Sequence, residues 1–523
     1  MSWDHGYYSH AAYTSGFYRE MAPGWIDLAC LIKDFAPGRP SDGAAFRYLD
    51  LGCGTGYGLC LLAALHPEGE FTGVDFLPTH IAQAERLAAE LQLNNVRFLE
   101  ADFLVLAQNV SPLAPPGATA PRFDYVAAHG VATWVVEPVQ QALFATAAAS
   151  LRPGGLFYCS YNCFPGWLGR TALHQLVSVE RQRSDTAVPL EPIQKASATL
   201  ASLLGDADTP TTLAQACPGL RADLALLKQF PPLYLSQEYA NDGWQPLYVQ
   251  QLHERCRAHK LTYAATAHFS ELFPQLLPES LREVLSQEAN PTVRELLVDL
   301  ATNKCFRRDI FVLGECRLSP TAREERLAAL QVRLQDAPPL ENYVFSASYG
   351  DVTGEPEAYR ALEVALADGP QPLAALIGVW PQDPEALITQ VALLLAAGRL
   401  GLDRGAAGEA AIGTCQRVNG TIARLASEGE GYGSLAAARV GQAISVPLRE
   451  QLLASGLHQG LGGELLASCV QASLSTLGFE VVLDPEGQPV SDPQQQLSLL
   501  VEAADVFGRE RLPQLKALGV YPL

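Results

Sequence analysis

Three glycines, Gly52, Gly54 and Gly56, and two aspartates, Asp50 and Asp75, share the stretch YLDLGCGTGYGLCLLAALHPEGEFTGVDFLPTHI at residues 48–81. The glycines follow an apolar run and precede a helix-forming one, which predicts a strand-to-helix turn with Cys53 inside it. Glycine in such a turn admits positive φ and lets a ligand approach the backbone closely. A dinucleotide fingerprint would read GxGxxG, but the spacing here is GxGxG and the third glycine position of that frame is Tyr57. Asp50, just before the turn, would repel a pyrophosphate and suits a ligand bearing an ammonium group. Asp75 closes the next apolar run, 19 residues after Gly56, where a carboxylate can take both hydroxyls of a ribose.

An amino acid joined to a nucleoside without phosphate is S-adenosylmethionine, and that is the cofactor the pattern predicts. Glycines in a bare turn and acids on solvated strand ends are the alternative reading of the same residues.

The elements that must carry these residues alternate from residue 46. FRYLDLGC, EFTGVDF, VRFLEADF, FDYVAAHG and GLFYCSYN read as strands. YGLCLLAALHP, LPTHIAQAERLAAELQL and PVQQALFATAAASL read as the helices between them. Five strands with helical crossovers predict an α/β, doubly wound, Rossmann-like sheet. Residues 167–245 lose this rhythm and read as a helical insertion. LTYAATAHF and CFRRDIFVLGE then supply two more strands, for seven in all. The expected organisation is a catalytic domain over 1–316 and a C-terminal region over 317–523. Within the latter, 340–402 reads as a small winged-helix-like unit and 403–523 as a mostly helical tail.

The chain has 36 basic and 56 acidic residues and a formal net charge of -20. Nucleic-acid binding needs clustered Lys and Arg, so that class of partner is disfavoured. The winged-helix-like segment is itself almost without basic residues and reads as protein contact or domain packing. An acidic protein suits a cationic partner such as a lysine-bearing polypeptide. No run of about 18 apolar residues is present to span a bilayer. The start, MSWDHGYYSH, lacks the charged and apolar regions of a secretory signal. The eleven cysteines form no CxxC pair, so neither a zinc site nor a disulfide framework is expected, and a cytoplasmic location is.

The pattern DLGCGTGYG…GVD…EADF resembles class I methyltransferases over roughly residues 46–162. The resemblance implies that the glycine loop underlies the methionine part and that Asp75 with Phe76 holds the ribose. It also implies that Ala101, Asp102 and Phe103 cap the adenine. YTSGFYREMAP, HGVATWV and SYNCFPGW narrow the likeness to bacterial methyltransferases with a methyltransferase regulatory domain, among them rickettsial outer-membrane-protein lysine methyltransferases. That group tends to read HEY where this chain has Gln237-Glu238-Tyr239, and an aspartate where Thr266 stands.

For the acceptor, the ends of the fourth and fifth strands offer His129, Trp134, Tyr161, Asn162 and Trp167. The resemblance implies Tyr161 and Asn162 orienting the acceptor, His129 nearby, and Trp134 and Trp167 shaping a channel. Trp134 and Trp167 are equally suited to core packing, and His129 to a structural hydrogen bond. Tyr13 and Tyr18 are expected in an N-terminal lid. The acceptor must sit about 3 Å from the reacting methyl carbon with water excluded. The expected acceptor is a protein lysine. The alternative is a small molecule methylated on N or O, with the remaining surfaces serving as a lid or in a homodimer.

Overall fold

The computed structural model describes all residues except 1, 2, 4, 8–14, 116–119, 185–189, 207, 210, 336–339, 378–382, 480, 481, 484–488 and 523. Its centre is a seven-stranded sheet. The strands are β1 (Phe46–Leu51), β2 (Gly69–Asp75), β3 (Val96–Glu100), β4 (Phe123–Ala128), β5 (Leu151–Asn162), β6 (Leu261–Thr266) and β7 (Phe306–Leu313). Their order is β3-β2-β1-β4-β5-β7-β6. The first five pair in parallel, while β7 runs antiparallel to both β5 and β6. The strand order reverses between β1 and β4, so the crevice at their carboxyl ends opens there.

Side chains of a strand alternate between faces, and the two faces are covered differently. Helices α1 (Pro23–Ile32), α2 (Tyr57–Leu65) and α3 (Pro78–Glu90) share a core with Tyr48, Phe71, Tyr125 and Tyr158. Leu49, Val126 and Phe157 face the other way. They pack with α4 (Phe103–Leu106) and α5 (Glu137–Ser150). The first of these cores does not stop at the sheet domain. It continues without a break into C-terminal residues such as Cys415, Leu435 and Val520.

The insertion supplies α6 (Thr171–Arg183), α7 (Leu190–Leu204), α8 (Thr212–Ala216), α9 (Leu220–Leu227) and α10 (Pro232–Tyr239). It holds its own small core, which includes Leu173, Val177, Ile193, Leu200 and Tyr239.

The C-terminal region adds strands that the sequence pattern does not announce. β8 (Gln331–Leu334) is the middle of a three-stranded sheet, flanked by the later segments Gln371–Pro372 and Leu400–Leu402. The mixed unit therefore draws a strand from upstream of residue 340. Ser434–Ala437 and Gln442–Ser445 form a hairpin inside the segment that reads as helical. These segments run four residues or fewer, too short for an alternating pattern to stand out. Among the described residues, no helix is long and apolar enough to cross a membrane.

Candidate active site

The carboxyl ends of β1, β2, β4 and β5 open into a cavity of about 390 Å³. Gly52, Gly54 and Gly56 line or frame it with φ of +85°, +55° and +75°. The backbone N–H groups of Gly52 and Cys53 donate to Val74 O at 2.7 and 3.0 Å, which ties the loop to the end of β2. A side chain at Gly56 would strike Ala84 and Phe98 at 2.6 and 2.7 Å. Gly54 differs: nothing lies within 4 Å of where its Cβ would be. This open space beside a left-handed residue is a cradle that any other side chain would fill.

Asp75 is buried, and each oxygen takes one backbone N–H. Oδ2 accepts from Gly54 and Oδ1 from Leu77, both at 3.0 Å. A carboxylate has about four acceptor sites, so capacity for hydroxyl groups remains. Beside it lies buried His80, whose Nδ1 is 3.2 Å from Asp75 Oδ1 and whose Nε2 has no protein partner. Asp102 caps α4 through Oδ1 to Leu104 N–H at 2.8 Å and meets His5 Nε2 through Oδ2 at 3.0 Å. Phe76 and Phe103 add apolar wall, and Phe76 makes an edge contact with Tyr7 at 5.5 Å. Ala101 does not line the cavity; its N–H donates to Asp75 O at 3.0 Å. Burial and the charge of Asp75 push the Asp50 carboxyl up to about 7, and burial raises the Cys53 thiol. Both shifts favour the neutral form, and a cation beside Asp50 would restore its charge.

At the end of β4, His129 Nδ1 meets the Tyr158 hydroxyl at 3.0 Å, and the Tyr18 ring stacks on the imidazole at 3.7 Å. Burial, then Arg308, pushes His129 down to about 3. The imidazole is thus neutral and a poor base for an ammonium proton.

Asn162, Trp134 and Trp167 line the cavity, and Asn162 Nδ2 is buried with no protein partner. The two tryptophans also pack with Trp244, so wall and core are here the same residues. The Trp167 indole N–H is committed to Cys305 O at 2.9 Å.

Tyr161 stands apart from the other acceptor-site candidates. It lies outside the cavity lining, fully buried, and donates to Asp309 Oδ2 at 2.6 Å. The pleat gives the reason: adjacent residues of a strand face opposite ways, so Tyr161 and Asn162 cannot both face the acceptor. Tyr13 falls outside the described residues.

Sequence reasoning missed a wall contributed by α10 and β7. Tyr234 and Glu238 reach the cavity from α10, and Phe306 and Arg308 from β7. Arg308 pairs in register with Ser160 and Phe306 with Asn162. Their positions were readable only once β7 was known to lie beside β5. For α10 the signal was present: Glu238 stands in the QEY triplet that departs from the related pattern.

Residues 42–201 match the family model described as a methyltransferase domain, and residues 231–313 match that of a predicted methyltransferase regulatory domain. The chain is an S-adenosylmethionine-dependent methyltransferase. When bound, S-adenosylmethionine supplies an electrophilic methyl group on a sulfonium centre. Gly54, Asp75, His80 and Asp50 are the residues that would hold it, and the open Gly54 cradle and the unpartnered His80 Nε2 fit such a guest.

The methyltransferase is 28% identical over 528 residues to an uncharacterized Synechocystis protein, covering 99% of this chain and 100% of that one. An uncharacterized Rickettsia prowazekii protein is 26% identical over 321 residues, 60% of this chain and 54% of the relative. Among solved structures, PKMT2 from Rickettsia typhi in complex with AdoHcy superposes with a TM-score of 0.68 at 18% identity. That superposition covers 97% of this chain and 99% of that chain, so the fold is shared over the whole length.

Proposed function

We propose that this methyltransferase methylates lysine side chains of a protein substrate. The observation that carries the reading is an acid that shares the cavity lining with three tyrosines. Half-buried Glu238 lines the cavity with Tyr7, Tyr18 and Tyr234. Tyr234 donates a hydrogen bond to it, and the Glu238 charge helps raise all three phenols, after burial in each case. Such a wall attracts an alkylammonium through charge and through the ring faces. Trp134 and Trp167 give apolar surface to the aliphatic stem.

An ammonium has no lone pair, so a proton must leave before nitrogen can be methylated. Glu238 is the carboxylate placed to take it, since His129 is held neutral with little basicity. Asn162, with its free Nδ2 hydrogens, orients the acceptor chain. Tyr18, stacked over His129, closes the side and keeps water out. The likeness to rickettsial outer-membrane-protein lysine methyltransferases and the net charge of -20 support the same acceptor.

The alternative is a small-molecule N- or O-methyltransferase. It draws on Arg308, which lines the same cavity and whose buried Nε has no protein partner; a carboxylate on a small acceptor would satisfy it. Transfer of labelled methyl from S-adenosylmethionine into fractionated cell contents separates the two. Label in a polypeptide, mapped to lysine, is the expected result. Label confined to small molecules sinks the lysine assignment. Glu238→Gln is expected to lower kcat/KM for the acceptor roughly 100-fold, the range of one proton-transfer group, with cofactor affinity retained.

A further inference from the structure

The C-terminal region grips the helix that carries the cofactor loop at both of its ends. α2 begins at Tyr57, directly after Gly56, and no side chain caps its N-terminus. Its first N–H groups face the loop, and an uncapped turn of this kind frays unless something outside the helix holds it. That outside hold comes from the region some 377 residues away in sequence. The Tyr57 hydroxyl donates to Ser434 O at 2.5 Å and accepts from Ser434 N–H at 3.1 Å. The Tyr57 ring stacks on Tyr432 with centroids 4.5 Å apart. At the other end, Cys415 Sγ donates to Ala64 O at 3.4 Å, and Arg404 donates to Leu65 O. Arg404 also pairs with Asp42 at 3.1 Å and Glu68 at 2.5 Å, which locks it in place.

Helix α2 is buried from Leu59 to Leu65. A crossover helix of a doubly wound sheet needs only one apolar stripe. The all-apolar sequence LCLLAAL therefore requires a second cover, and the C-terminal region is that cover. Tyr57, Leu59 and Leu62 also line the cofactor cavity, so the gripped helix and the binding wall are one element.

We infer that the C-terminal region is a positioning device for the cofactor loop, with Tyr432 and Ser434 acting through Tyr57 to set affinity for S-adenosylmethionine. The inference concerns cofactor binding and stands whatever the acceptor is.

Calorimetry of the full-length protein with S-adenosylmethionine and S-adenosylhomocysteine tests it without any acceptor. Tyr57→Phe removes only the hydroxyl, and Tyr432→Ala removes the stacked ring. Each is expected to weaken cofactor binding roughly tenfold, the worth of one or two good contacts. The double variant is expected to lose less than the product of the two. Amide exchange over residues 52–58 should quicken in both. Arg439→Gln, which breaks an ion pair to Glu409 in the same region, serves as the control for general destabilisation and should leave affinity unchanged. Cofactor affinity within about twofold of the parent in folded Tyr57→Phe would overturn the inference. So would an equal loss in Arg439→Gln. Should Tyr432→Ala not fold, Tyr57→Phe decides alone.

Discussion

Asp75 Oδ2 accepts the backbone N–H of Gly54 at 3.0 Å, so the acid closing β2 also holds the middle of the glycine loop. One residue thus fixes the loop and presents acceptor capacity to the cavity. Asp75→Ala is expected to weaken S-adenosylmethionine binding by roughly 10- to 100-fold, the value of one or two hydrogen bonds to a charged group. Isothermal calorimetry reads this directly, and unchanged affinity would remove Asp75 from the site.

The two glycines on either side of Thr55 should fail differently. Gly54 has open space at its Cβ position, so Gly54→Ala costs only the left-handed strain, about 1–2 kcal/mol. The variant should fold and bind cofactor poorly, because the methyl enters the cradle. Gly56→Ala would drive a carbon to within 2.6 Å of Ala84 and 2.7 Å of Phe98. It should lose folded protein before binding can be measured. Thermal melts alongside cofactor titration distinguish the outcomes.

Asp50 makes the ligand-free protein sensitive to pH. Its folded pKa of about 7 lies above the ordinary value of 3.8. The folded state then holds the proton more tightly than the unfolded chain does. Stability from this group is complete below about pH 4 and is lost as pH rises toward 7. Asp50→Asn should therefore raise the melting temperature of the ligand-free protein at pH 8 and have little effect at pH 4. The same substitution should weaken binding of the cationic cofactor. Melting temperatures of both proteins across this range, with and without S-adenosylmethionine, check the sign; a parallel pair of curves would refute it.

Neighbours Tyr161 and Asn162 should separate stability from activity. Tyr161→Phe removes the hydroxyl that bonds Asp309 in a fully buried cluster with Arg307. It should cost about 1–3 kcal/mol of stability, the penalty for a buried group losing its partner, while the folded fraction keeps its acceptor KM. Asn162→Ala should do the reverse, sparing the melt and lowering acceptor kcat/KM. Denaturant titration and steady-state kinetics on both variants give the comparison.

Much of the cofactor half was legible in the sequence because its signals are local. The glycine turn, the acids at Asp75 and Asp102 and the strand–helix alternation each occupy a few consecutive residues. The parallel order of the first five strands followed from the crossovers between them. The acceptor half was not local. Glu238 reaches the cavity from a helix inside the insertion, and Phe306 and Arg308 arrive on a strand that follows all the others in the sheet. No spacing along the chain relates these to His129 or Asn162; the placement of β7 beside β5 and of the insertion helix α10 at the cavity does. Tyr161 shows the converse limit: its type suited the chemistry, but the pleat aimed it at Asp309.

The sequence by itself determined the sheet, the cofactor turn and its ligand class, since backbone conformation and burial pattern are set by near neighbours. It also required that α2, apolar on every side, be covered twice. What covers it, and that the same residues grip Tyr57 and Leu65 at the ends of the cofactor helix, only the tertiary structure decided. Contacts across more than 300 residues are chosen by the packing of whole elements, and packing leaves no periodic mark on either partner.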